Sequence, residues 1–156
     1  MAPYQLYCFA QSGNAYKVAL ALQLAGADWS PRFVDFFNGE TRTPAYRAIN
    51  LMGEVPVLEH GGLRLSQSGV ILDYLAAQFP QFGPSNEEER RYVVADRLTT
   101  ADLSLCGYLF WPAEYGVDWV DYPAIGAWLQ RLQSLPGWVA PYDVMPGHPR
   151  PQDLPA

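Results

Sequence analysis

Residues 54–76, EVPVLEHGGLRLSQSGVILDYLA, read as two short strands and a helix with almost nothing between them. Residues 55–59 and 63–65 are strand-like, and His60-Gly61-Gly62 between them is a hairpin signal. Ser66 then caps a helix that runs to about Gln78, with Val70, Ile71, Tyr74 and Leu75 as its apolar positions. Pro56 cannot donate to a sheet ladder, so it belongs at a strand start or edge. Two readings of it stay open. One is an ordinary trans proline opening the strand. The other is a cis Val55-Pro56 bond that turns the backbone groups of Val55 outward, where an extended peptide pairs with them as an added strand.

Upstream of this hairpin the chain alternates strand and helix. Residues 4–9 form a buried strand, Gln11-Ser12-Gly13-Asn14 a polar turn, and residues 15–25 a helix stopped by Gly26. Residues 29–36 form a second strand. Thr43-Pro44 is an N-cap and first helical position, opening a short helix that ends near Asn50. The order is βαβαββα.

Downstream the pattern is helical. Residues 80–84 read as a linker, and Ser85 with Glu88 has capping-box spacing. Thr99 and Asp102 make a second capping box, with Leu98 and Leu103 as its hydrophobic staple. The helix they open, residues 100–111, is apolar nearly all round and is expected to be buried. Asp121-Tyr122-Pro123 opens the last helix, whose stripe is Ile125, Trp128, Leu129, Leu132 and Leu135. Pro136-Gly137 stops it, and the proline-rich tail from Pro146 is expected to fray.

Composition narrows the function. The 156 residues are 49% apolar and 17% charged, with a net charge of −6. Lys17 is the one lysine. An acidic chain with scattered arginines is a poor match for a phosphate backbone, which argues against nucleic acid as a partner. The longest run of apolar residues, Gly and Pro is residues 105–113, far below the ~20 residues that span a bilayer. MAPYQLYCFA lacks the basic and apolar regions of a signal peptide. Cys8 and Cys106 are far apart, and His60 and His148 lie near neither, so metal-ligand spacing is absent. The expectation is a soluble, reduced, cytoplasmic protein without a metal or a membrane partner.

A few side chains carry chemistry. Ser12 stands at the entrance to the first helix, either as a plain cap or as a donor to a thiolate that the helix dipole also favours. Gln67 and Ser68 open a second helix N-terminus, either as ordinary capping residues or as a seat for a carboxylate. Lys17 and Arg42 are surface cations or added positive charge. Cys8, mid-strand, and Cys106, on the apolar helix, read as core residues. The run Glu87-Glu88-Glu89 reads as a solvated helix start.

Together these pieces resemble the glutathione transferase family. LYCFAQSGNAYKV, residues 6–18, is similar to its first strand, active-site turn and first helix. Residues 54–76 are similar to its cis-proline strand, hairpin and third helix. DRLTTADLSLCGYLFW, residues 96–111, and YPAIGAWLQRLQSLPGW, residues 122–138, are similar to two helices of its helical domain. The resemblance implies an α/β thioredoxin-like domain over residues 1–79, a linker over 80–86, a shortened all-helical domain over 87–145 and a tail over 146–156. It also implies a cis Pro56.

Carried over position by position, Ser12 matches the thiol-activating hydroxyl of the serine-type classes, and Asn14 an asparagine that contacts the thiol in some bacterial members. Val55, preceding Pro56, matches the residue whose backbone binds the cysteinyl unit of glutathione. Gln67 and Ser68 match an acidic-Ser pair that holds the γ-glutamyl end, with Gln in place of the acid. Glu54 stands where many members have a lysine near the glycyl carboxylate, and Arg42 is the candidate substitute.

The activity implied is conjugation of the glutathione thiolate to a small soft electrophile by a homodimer. The alternatives are glutathione-dependent disulfide or peroxide reduction, and a non-catalytic glutathione- or protein-binding role. The family has two long helices before the capping-box segment. Here the 14 residues 85–98 hold at most one short helix, at ~1.5 Å per residue. The join falls near Arg91-Tyr92, and two readings of it stay open, a truncated relative or residues missing at that point. A continuous chain there leaves an apolar patch on the helices over 67–78 and 100–111.

Overall fold

The computed structural model describes residues 3–82, 98–110 and 118–148. The Ser85/Glu88 box, the run Glu87-Glu88-Glu89, the join at Arg91-Tyr92, and Trp111 lie outside the described residues. At the centre is strand β1 (Tyr4–Cys8), whose residues alternate between buried and half-buried. It pairs in parallel with β2 (Trp29–Phe33) and antiparallel with β3 (Val57–His60), which pairs antiparallel with β4 (Leu63–Ser66). The sheet order is β2-β1-β3-β4. A parallel pair needs a crossover, and helix α1 (Gly13–Leu24) supplies it. Gly61 and Gly62 both have positive φ, 55° and 84°, as a two-residue hairpin matched to strand twist requires.

Helices α2 (Pro44–Ile49) and α3 (Ser68–Gln78) complete the βαβαββα order expected from the sequence. Leu6 and Cys8 on one face of β1 join α1 and α3 in a single core. Tyr7 meets the buried ring of Tyr46 on α2 edge-on, 6.4 Å between centroids. Thr43 caps α2 as its sequence predicts, accepting from the Tyr46 amide at 3.2 Å, with Pro44 at the first position. Helix α1 is buried along most of its length, from Gly13 to Leu22 with Asn14 and Lys17 half-exposed. Besides β1 and α3 it packs against α4 (Thr100–Cys106) and α6 (Pro141–Val144). Tyr16 of α1 donates its hydroxyl to the Val139 carbonyl at 2.9 Å.

Five local expectations are corrected. The second strand stops at Phe33, because the chain turns where the Phe36 amide donates to the Val34 carbonyl and the Asp35 amide to Glu40 Oε2. Ser66 is no cap. It pairs with Val57 as the last residue of β4, and Gln67 takes the N-cap position. The helix from Thr100 stops at Cys106, before Gly107, a weak helix former, and tightens into a turn in which the Leu109 amide bonds the Cys106 carbonyl. That helix is not covered all round, since Leu105 is 56% exposed.

The fifth correction concerns the end of the chain. α5 (Pro123–Gln133) is followed by α6, and the tail is docked as far as His148 rather than frayed. The Ala10 amide bonds the Pro146 carbonyl at 2.8 Å. Gln11 grips the His148 backbone twice, donating to its carbonyl at 2.9 Å and accepting from its amide at 3.2 Å.

Both halves of the Thr99/Asp102 capping box form. Asp102 is fully buried, and its carboxylate accepts from the Thr99 amide and hydroxyl, each at 3.0 Å, and from Trp128 Nε1 at 3.0 Å. One side chain thus caps α4 and ties it to α5. Asp102→Ala is expected to cost about 2–4 kcal/mol in a urea titration, the sum of a lost cap and lost charged hydrogen bonds. An unchanged unfolding midpoint would show that the box does not hold the two helices together.

Candidate functional site

β1 hands the chain to α1 through Phe9, Ala10 and Gln11, and the next residue, Ser12, has extended backbone at φ −87°. Its Oγ accepts from the Ala15 amide at 3.2 Å. That bond occupies a lone pair and leaves the hydroxyl proton available as a donor. Ser12 is largely buried, and it opens onto a cleft of about 520 Å³. Two glycines let the helix end lie there. A Cβ on Gly13 would stand 2.6 Å from the Tyr108 ring and 2.7 Å from the Gly107 carbonyl oxygen. The start of α1 and the end of α4 therefore touch backbone to backbone.

Across the cleft, Val55 precedes Pro56 through a cis peptide bond, as the resemblance implies. Among the described residues neither the N–H nor the C=O of Val55 has a hydrogen-bond partner. The preceding carbonyl, that of Glu54, is pinned by two donors at 2.9 Å, Tyr46 Oη and Asn50 Nδ2. Helix α2 thereby fixes the edge that Val55 presents.

Ser68 is the first residue of α3 and lines the same cleft as Ser12. Its hydroxyl donates to Asn14 Oδ1 at 3.4 Å, so the two helix starts are joined through side chains. Gln67, at the N-cap of α3, has φ 69°, a strained setting for a side-chain-bearing residue worth ~1–3 kcal/mol. Its Nε2 donates to Glu54 Oε2 at 2.9 Å.

Of the candidate residues, Ser12, Asn14, Val55, Pro56, Gln67 and Ser68 all line the cleft. Arg42 does not. It lies exposed at the end of the turn Glu40–Arg42, directly before the capping residue Thr43. The sequence reading missed the aromatic wall. Phe9 stacks on Phe36 at 4.9 Å and meets Phe37 edge-on at 5.7 Å, and all three line the cleft. The signal was the Phe36-Phe37 pair, two large apolar residues in succession where the expected strand gives way to a turn. His148 of the docked tail packs behind them, 4.6 Å from the Phe37 ring, with its Nε2 3.7 Å from Asp35 Oδ1.

Residues 2–77 match the glutathione S-transferase N-terminal domain, and residues 70–136 match the glutathione S-transferase C-terminal domain. The chain belongs to the glutathione S-transferase family. A crystal structure of glutathione S-transferase from Pseudomonas fluorescens is similar over 91% of this chain and 100% of that one, at 28% identity and a TM-score of 0.83. Glutathione S-transferase 1 of Dianthus caryophyllus is 43% identical over 77 residues, 49% of this chain and 35% of that protein. Maleylacetoacetate isomerase of Pseudomonas aeruginosa is 40% identical over 80 residues, 49% of this chain and 38% of that protein. The matched stretch spans little more than a third of the length of these two relatives. As in the family, a thioredoxin-like domain with a mixed four-stranded sheet is followed by an all-helical one. Among the described residues no helix is long and apolar enough to cross a membrane, and no group of three His, Cys, Asp or Glu is placed to hold a metal.

Both cysteines are buried and unbridged, and burial pushes each thiol up to about 12. Neither lines the cleft. Both should resist iodoacetamide at pH 8 under conditions that label the urea-unfolded chain. A raised folded-state value means that the unfolded chain ionises first. The thiols' contribution to stability is therefore complete below the ordinary value of 9.0 and falls as pH rises from there toward about 12. Rapid labelling of the folded chain at pH 8 would contradict this burial.

Proposed function

We propose that the cleft binds glutathione and presents its thiolate to a small soft electrophile, making the chain a conjugating transferase. The observation that carries this reading is the placement of Ser12 and Ser68, each at a helix start, around one cleft with the unpaired backbone of Val55. A tripeptide fits that arrangement end to end. Its cysteinyl backbone pairs with Val55 as an added strand. Its γ-glutamyl carboxylate lies at the N-terminus of α3 beside Ser68, where amides and dipole favour an anion. Its sulfur then falls at Ser12, whose proton is available as a donor and whose helix contributes a positive end.

The chain's own thiols are buried away from the cleft, so the nucleophile must come with the ligand. The chemistry asked of the protein is modest. A hydroxyl donor and a helix end favour the thiolate over the thiol and lower the ligand's pKa. The aromatic wall of Phe9, Phe36 and Phe37 suits an apolar electrophile at the sulfur. The homodimer expected from the resemblance belongs to this proposal, with exposed Val70 of α3 and Leu105 of α4 among the apolar side chains it would cover.

Turnover of a chromogenic aryl halide with glutathione tests the reading. Ser12→Ala should lower kcat/KM about 100-fold, the usual scale for losing one preorganised donor to a developing anion. Ser68→Ala should instead weaken glutathione binding in calorimetry, and by more than Ser12→Ala does. Turnover that is indifferent to Ser12 would overturn the assignment. Turnover confined to disulfide or peroxide substrates would replace conjugation by the reductive alternative.

A further inference from the structure

The cleft's charge does not match its proposed ligand's. Glutathione carries two carboxylates and one ammonium. Among the described residues that line the cleft, the one acidic or basic side chain is Glu54, an acid. Of the arginines near it in sequence, two are committed elsewhere. Arg47 donates to the Leu51 carbonyl, Arg64 pairs with Glu59 at 2.6 Å, and Arg42 is exposed outside the cleft. No described cation lines the cleft, so helix-start amides and hydroxyls are the groups there that can take the ligand's carboxylates.

The backbone of Glu54 is held from behind, and its exposed carboxylate has one side-chain partner. Its carbonyl is held by Tyr46 and Asn50, and its carboxylate accepts from Gln67 Nε2 at 2.9 Å. Gln67 directly precedes Ser68. The Glu54 carboxylate therefore sits at the α3 end of the cleft, beside the proposed γ-glutamyl seat. Gln67 is a neutral amide and cannot neutralise an ammonium, but it can orient the carboxylate that does.

We propose that Glu54 is the receptor for the ligand's γ-glutamyl ammonium, and that the cleft selects its thiol by that ammonium rather than by the glycyl carboxylate. This inference rests on the glutathione reading above and deepens it. Ser68 and the α3 amides take the α-carboxylate, while Glu54 takes the ammonium on the same carbon. Two opposite charges on one carbon thus meet two opposite partners on adjoining segments. A γ-glutamyl thiol that lacks the glycine keeps every charged contact the cleft offers.

Calorimetry with three probes tests it: glutathione, γ-glutamylcysteine, and glutaryl-cysteinyl-glycine, which lacks the ammonium without added bulk. For the wild-type chain, glutathione and γ-glutamylcysteine should bind within about threefold of each other. The deamino probe should bind about tenfold more weakly, the scale of one charged hydrogen bond. In Glu54→Gln, which can still accept from Gln67, glutathione should weaken to the level of the deamino probe, with the thermal midpoint unchanged. Wild-type chain that binds glutathione and its deamino analogue equally overturns the proposal, as does discrimination that survives in Glu54→Gln. A tenfold loss on removing glycine overturns the claim about the glycyl carboxylate. Failure of all three probes to bind the wild type overturns the glutathione reading itself, a result distinct from equal binding of all three.

Discussion

Helix α1 is enclosed on its flanks, and its first turn opens onto the cleft. Small residues at Gly13, Ala15, Ala19 and Ala21 let sheet, α3 and α4 approach its axis closely. The tightest point is the crossing of Gly13 with Gly107, where a side chain on either residue would meet the other's backbone oxygen. This constraint places α4, and with it Tyr108, at the edge of the cleft. It also fixes where the amides of the α1 start can point. The helix end thus gains its electrostatic use from a packing requirement elsewhere on the helix.

The other walls are held in part by hydrogen bonds that reach them from outside the cleft. Helix α2 lies on the opposite face of the sheet, yet its end holds the Glu54 carbonyl through Tyr46 and Asn50 and so presents Val55. The tail holds Gln11 and Ala10, the residues just before Ser12, and His148 braces the aromatic wall. The groups proposed to touch ligand keep their polar atoms largely unspent, as the Val55 backbone and the Ser12 proton show. Preorganisation is supplied from behind, which is the economical arrangement when a site must be rigid and still accept hydrogen bonds.

Much of this was legible in the sequence. Thr43-Pro44, the Thr99/Asp102 box and the His60-Gly61-Gly62 turn are local signals, and local physics decided them. Where the reading failed, a longer-range contact won. Ser66 looks like a cap, but its pairing with Val57 claims it for β4 and moves the cap to Gln67. The tail looked mobile because proline-rich segments carry no periodicity, and its docking depends on the side chain of Gln11, 137 residues away. Arg42 is a candidate cation by sequence proximity alone, and the structure leaves it exposed and outside the residues that line the cleft. Glu54 stands out in the sequence only as the absence of a lysine, and its bond to Gln67, on which the proposal above builds, is a contact that sequence spacing does not show.

The account stands on a ligand thiol ionised at the α1 start, and titrating that thiol tests it most directly. Thiolate absorbance near 240 nm is followed against pH for glutathione bound to the wild-type chain and to Ser12→Ala. The account predicts a bound thiol that ionises well below the ordinary value of about 8.5, and a return toward that value when the Ser12 hydroxyl is removed. A thiol that titrates at its ordinary value in the wild-type complex would contradict it.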